Sequence, residues 1–144
     1  MGLNRRVLAV LAGAAIVAGI AVTAAFGAHQ ATPGVSATTI TIGGTFPLTG
    51  PASLYKTIPA AETAYFAYVN DHGGVNGRKI DFKVLDDSYS PAKTVPLTQQ
   101  LVEQNNVFAI FGSLGTAPNL SIWSYLNTHK VPQALIAKIG RAHV

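Results

Sequence analysis

The chain has 144 residues and no cysteine, which excludes disulfides, thiolate metal sites, a cysteine nucleophile and a lipid-modified cysteine. Its formal charge of +4 sits at the ends, because residues 29–138 hold seven basic and six acidic side chains, a net of +1. A nearly neutral body carries no electrostatic footprint for nucleic acid, and the length allows one compact domain.

Arg5 and Arg6 precede an uncharged apolar run, residues 7–28, which closes on Ala24, Ala25, Gly27 and Ala28. A basic start, an apolar middle and a small-residue end describe an export signal over residues 1–28. The run is also long enough to span a bilayer as an uncleaved anchor, although its many Ala and Gly residues favour the signal. The paired arginines fit a twin-arginine signal only in part. Either way, the rest of the chain is expected outside the cytoplasm. Residues 29–38, with Pro33 and Gly34, read as a linker.

The body, residues 39–138, then alternates strands and helices. Residues 39–42 alternate β-branched side chains and predict the first strand. Residues 43–51, with three glycines and two prolines, predict a loop. It is neither G-x-G-x-x-G nor a loop ending G-K-[ST], and its prolines lack N–H donors, so phosphate binding is excluded. A helix follows from Ser53 or Tyr55 to His72. Its predicted buried stripe is Ala61, Ala64, Tyr65, Tyr68 and Val69, with Tyr65, Phe66 and Tyr68 read as core. Gly73-Gly74 ends it, and Asn76-Gly77 is a tight-turn signal.

Ile80, Phe82 and Val84 share one face of a second strand. Asp86-Asp87 follows it. Paired carboxylates suit acid–base work, but no basic or nucleophilic partner is placed nearby, and the pair reads as turn and capping chemistry. The next helix is predicted over residues 90–104, disturbed by Pro96, with Leu97, Leu101 and Val102 buried. A short apolar run, residues 107–111, predicts a buried parallel strand. Beyond it come Gly112, Ser113, Leu114, Gly115 and Thr116, then a helix from about Asn119 to Thr128 with Leu120, Trp123 and Leu126 as its buried stripe. Residues 131–137 start a fourth strand. Strands and helices in this alternation predict a parallel sheet with right-handed crossovers.

In such a sheet, ligands bind beyond the carboxyl ends of the strands. The loop at 112–116 therefore carries the candidate site. Free N–H groups at a helix start suit a carboxylate or other anion, and the Ser113 and Thr116 hydroxyls can donate or accept. The histidines at 29, 72, 129 and 143 lack metal-ligand spacing.

Gly73-Gly74-Val75-Asn76-Gly77-Arg78-Lys79-Ile80, a strand ending Asp86-Asp87, then Ser90-Pro91, form a specific combination. With Pro47-Leu48-Thr49-Gly50-Pro51 and Phe111-Gly112-Ser113, the chain resembles the solute-binding proteins of branched-chain amino acid ABC transporters, the leucine/isoleucine/valine-binding type. The resemblance runs from about Thr38 to Gln133. It implies an α/β fold of the type I periplasmic-binding-protein kind, with two lobes closing on a ligand, and no cofactor. This chain would be the N-terminal lobe, a parallel sheet flanked by helices, truncated in the fourth strand. In the family's amino acid binders, the loop after the third strand grips the ligand carboxylate. Carried over, Thr116 is the hydroxyl contact, Gly115 a backbone donor beside Ser113, Leu114 lies near the ligand side chain, and Tyr55 lines the pocket. The run Gly115-Thr116-Ala117-Pro118 departs from the serines usual there, which leaves amides, urea and aromatic acids open as ligands.

The resemblance implies a small polar solute, a membrane permease driven by a cytoplasmic ATPase as partner, and no bond made or broken. The second lobe would supply the opposing cleft wall and the ammonium contacts. The same lobes could instead form the ectodomain of a sensor. An extracellular enzyme is the remaining alternative, but no G-x-S-x-G elbow is present. Residues 139–144 have the sequence that a common sequencing-library adapter encodes when read in frame, and are expected to be a non-native tail.

Overall fold

The computed structural model describes residues 32–137. The export segment and the tail lie outside the described residues. Four strands, β1 (Thr39–Phe46), β2 (Lys79–Asp86), β3 (Ala109–Phe111) and β4 (Gln133–Ala134), form one sheet in the order β2-β1-β3-β4. All three pairings are parallel, with Thr39 opposite Lys79, Ile42 opposite Ala109 and Ile110 opposite Gln133. Residues 32–36 turn back on the sheet through a Val35–Ile40 bridge.

Three α-helices make the crossovers: α1 (Thr57–Asp71), α2 (Pro91–Gln99) and α3 (Thr116–His129). A 3-10 turn, Ser53–Lys56, leads into α1. A π-helical segment, Gln100–Gln104, continues α2 beyond Pro96, whose ring removes one N–H from the helical ladder.

Successive side chains of β3 point to opposite faces, and each face has its own core. Phe111 meets Phe66 of α1 at 5.3 Å between ring centroids, and Phe66 meets Phe82 of β2 at 5.1 Å. Ile42 and Ala109 complete that side. Ile110 packs on the other side with Leu101, Val107, Ile122 and Leu126. Thus α1 covers one face, and α2 and α3 cover the other.

Three expectations from the sequence are corrected. First, Gly43 and Gly44 continue β1 rather than opening a loop. A Cβ on Gly43 would lie 2.7 Å from a Leu101 methyl, and one on Gly44 would run into the Phe111 carbonyl of β3 and lie 2.8 Å from the Phe46 ring, so the glycines are places where a core side chain or a neighbouring strand presses on the backbone. Second, α1 is rotated from the predicted stripe. Ala61, Ala64, Tyr65 and Tyr68 are exposed, while Pro59 and Phe66 are buried. Asn70 fixes this rotation: its amide donates to the Ile80 carbonyl at 2.8 Å and its oxygen accepts the Ile80 N–H at 2.7 Å. Third, Leu120 and Trp123 are exposed at 64% and 62%, and α3 buries Pro118, Asn119, Ile122 and Leu126 instead.

Candidate functional site

The loops after β1 (47–52), β2 (87–90) and β3 (112–115) share the carboxyl edge of the sheet. The chain leaves β1 towards β2 on one face and returns to β3 on the other, so neighbouring strands β1 and β3 flank a switch point, where α/β sheets bind ligands.

The loop after β3 is held from three sides. The Ser113 hydroxyl accepts the Thr45 N–H at 3.0 Å, and the Leu114 N–H donates to the Thr45 carbonyl at 3.1 Å. On the β4 side, the Gly112 N–H donates to Ala134 and the Gly115 N–H to Ala137, at 3.0 and 2.9 Å. From α3, the Asn119 amide donates to the Ser113 and Gly115 carbonyls at 3.1 and 2.7 Å. Ser113 and Leu114 are 1% exposed. The Ser113 hydroxyl and carbonyl, and the Leu114 and Gly115 N–H groups, are spent on fixing the loop.

Further donors belong to the start of α3. Gly115 precedes the helix with φ of 119°, a conformation that side chains avoid. The first-turn N–H groups of Thr116 and Ala117 have no intrahelical acceptor, and Pro118 has no N–H. Beside them stands the Thr116 hydroxyl, on a half-buried residue. A helix start with a hydroxyl in its first turn suits a carboxylate. The structure thus brings Ser113, Leu114, Gly115 and Thr116 into one loop. Tyr55 stands apart on the 3-10 turn after β1, 37% exposed, and among the described residues no hydrogen bond joins it to that loop.

Three residues at this edge escaped the sequence reading. Tyr89 is one: its ring stands 2.7 Å from where a Gly115 Cβ would be, so it lies directly over the loop. Ser88 and Tyr89 both hold positive φ, 51° and 62°, in a left-handed turn that non-glycine residues rarely take. The paired aspartates hold that turn. The Asp86 carboxylate accepts the Ser88 N–H at 2.9 Å and the Leu48 N–H at 2.9 Å, with the Thr49 N–H and hydroxyl also bound. Asp87, fully buried, accepts the Tyr89 N–H at 2.9 Å and the Thr94 hydroxyl at 2.8 Å. Burial raises the Asp86 carboxyl, but the bonds from the Thr49 hydroxyl and the Ser88, Thr49 and Leu48 amides outweigh it and hold the group below its ordinary value. Both oxygens of Asp86 are therefore occupied in tying loop to loop. Asn119 is the second residue missed.

Glu62 is the third. It lies on the inward side of α1, one turn before Phe66, and its carboxyl packs on Gly112. Oε2 is shielded from solvent without a hydrogen-bond partner, and burial pushes the carboxyl up to about 7. Among the described residues, no three His, Asp or Glu side chains gather to hold a metal ion.

The comparisons with known proteins bear on this geometry. A family model described as periplasmic binding protein matches residues 39–137. The chain belongs to the periplasmic binding protein family. Among the solved structures, it is similar to a possible leucine/isoleucine/valine-binding protein from Rhodopirellula baltica, 28% identical over 72% of this chain and 28% of that one, with a TM-score of 0.63. A fatty acid ABC transporter substrate-binding protein from Thermomonospora curvata is 37% identical over 69% of this chain and 25% of its own, with a TM-score of 0.61. An ABC transporter solute-binding protein from Rhodopseudomonas palustris, in complex with 3,4-dihydroxybenzoic acid, is 32% identical over 69% and 27%, with a TM-score of 0.59. No curated protein matches the chain. The chain spans about a quarter of the length of these periplasmic binding proteins.

Proposed function

We propose that this chain forms the N-terminal lobe of the solute-binding component of an ABC importer, closing with a second lobe on a small carboxylate-bearing solute. The observation that supports the reading is that α3, with the Thr116 and Ala117 amides and the Thr116 hydroxyl in its first turn, starts beyond the carboxyl end of β3, beside the switch point of a periplasmic-binding-protein sheet. The solutes named for the relatives, fatty acids, a dihydroxybenzoic acid and branched-chain amino acids, share a carboxylate. In this reading, Ser113, Leu114 and Gly115 hold the gripping loop in place, and Tyr55 and Tyr89 form the aromatic rim. The lobes close about a hinge, and the loaded protein docks on a membrane permease. In this reading no bond is made or broken, and Asp86 serves to tie the loops together. Export follows from the basic and apolar start of the chain, and N-terminal sequencing of the mature protein tests it.

Titration calorimetry on the protein carrying both lobes tests the grip. The solute set is leucine, 4-methylpentanoate, phenylalanine and 3-phenylpropanoate. Thr116→Ala lowers the affinity for every solute bound, by roughly tenfold, the scale of one hydrogen bond to a charged group. Unchanged affinity in T116A refutes the placement of the carboxylate.

A further inference from the structure

Helix α1 is apolar on both sides. Pro59 and Phe66 face the sheet. The stripe that the sequence marked for the core, with Ala61, Ala64, Tyr65 and Tyr68, faces solvent instead, and its two tyrosines are 62% and 59% exposed. The charged residues of the helix are Glu62, packed inward on Gly112, and Asp71, its last residue. A helix that is apolar all round is ordinarily covered all round. The outer face is also held ready for a partner. The Tyr68 ring stacks on His72 at 4.1 Å between centroids, and His72 Nδ1 donates to the Tyr68 carbonyl at 2.8 Å. A ring already fixed in place loses little freedom when it is covered.

The charges at the two ends of α1 say what the partner is. Lys56 precedes the first turn and Asp71 closes the last, while the first turn holds no acid and the last turn no base. Each charge therefore sits at the end of the helix whose dipole opposes it. Among the described residues the sole ion pair is Lys83 with Asp81, so neither charge is paired within the chain. A second α1 running antiparallel brings Asp71 to the amino end of its neighbour, beside Lys56, and relieves both ends at once. A parallel neighbour would set like charges together. We propose that the outer face of α1 docks on the same face of a second copy of this chain, antiparallel, to form a two-fold dimer. The pairing centres on Ala64, midway along Thr57–Asp71, and lays the tyrosine-bearing faces on each other. As a crossover helix, α1 runs back along the strands, so the carboxyl edges of the two sheets point in opposite directions. The inference stands apart from the solute grip at Thr116.

Sedimentation equilibrium on the two-lobe protein, without solute, tests the pairing. The expected dissociation constant is about 100 µM, weak because one helix face is smaller than a standard interface. Lys56→Asp or Asp71→Lys alone weakens the dimer by roughly tenfold, since the two-fold axis repeats each change. The double swap K56D/D71K recovers part of that loss, because the pairs are again of opposite sign. Tyr68→Glu places a charge in the contact and abolishes the dimer. These positions are exposed, so urea midpoints that are not lowered separate loss of association from loss of fold. A wild type that stays monomeric above that concentration overturns the proposal and leaves the face to the second lobe or to solvent. A dimer that persists in Y68E overturns the place of the contact. Single swaps without effect, or a double swap without recovery, overturn the antiparallel pairing.

Discussion

Ser113→Ala separates the two uses a hydroxyl can have in the gripping loop. In the structure, the Ser113 hydroxyl accepts the Thr45 N–H at 3.0 Å in a place that is 1% exposed. Removing it leaves a buried N–H without an acceptor, and water cannot reach it. Such an orphan costs about 1–3 kcal/mol. Thr45 is a demanding host, because its own hydroxyl is already buried without a partner. The upper half of that range, about 2 kcal/mol, is the expected loss. Urea denaturation reads it as a midpoint lowered by roughly 1 M at an unchanged slope. The control is Thr128→Ala, whose hydroxyl donates to Ser124 on the exposed side of α3 and whose loss stays within about 0.5 kcal/mol. The affinity of the two-lobe protein for its solute then changes by less than about threefold in S113A. A stability loss below about 0.5 kcal/mol, or an affinity loss that matches Thr116→Ala, refutes the assignment of this hydroxyl to the sheet.

Other changes probe the same frame. Gly112→Ala places a methyl group against the Glu62 carboxyl at a left-handed φ, and is expected to lose about 2 kcal/mol, part of which Glu62→Ala restores in the double mutant. Trp123→Ser removes an exposed ring and stays within about 0.5 kcal/mol by denaturation. Asp86 is lowered in the fold, so its stabilisation is present above its ordinary value of 3.8 and is lost as pH falls below it; the stability curves of wild type and Asp86→Asn converge there. Glu62 is raised, so the unfolded chain releases the proton near 4.5 while the fold keeps it to about 7, and stability declines as pH rises across that window. Because solvent reaches much of the side chain, the decline is about 1 kcal/mol, and Glu62→Gln flattens it.

Strand positions were legible because burial on one or both faces writes itself into short runs. Ile80, Phe82 and Val84 placed β2, and residues 107–111 placed β3. Helix positions were legible too, but not which face each helix buries. In α3, Leu120-Trp123-Leu126 and Pro118-Ile122-Leu126 both repeat at helical spacing, and apolarity alone chose the first. The polar residue Asn119 decides: its amide bonds to the Ser113 and Gly115 carbonyls hold that side inward and turn Trp123 out. Asn70 does the same for α1 through Ile80. These two helices are each oriented by one amide, buried at Asn119 and half-buried at Asn70, that a hydrophobic count treats as noise. The glycine pair in β1 misled for the opposite reason, since glycine marks a close approach of a side chain or another strand as readily as it marks a loop.

The candidate site divides along the same line. Ser113, Leu114, Gly115 and Thr116 are contiguous, so one stretch of sequence exposes them all. Glu62, Tyr89 and Asn119 reach the loop from α1, the turn after β2 and α3, and only the strand order β2-β1-β3-β4 brings those elements to one edge. Nothing in the spacing of residues 62, 89 and 112 encodes that meeting. What the sequence does carry is its local trace: two aspartates in a row, needed to hold Ser88 and Tyr89 in a left-handed turn, and a glycine where a carboxyl must fit. Residues that shape the loop are thus recorded as turn chemistry, and Glu62, which packs on the loop, is recorded as an ordinary helical glutamate. The grip is a local property of one loop, whereas the packing that supports it is a property of the sheet order that surrounds it.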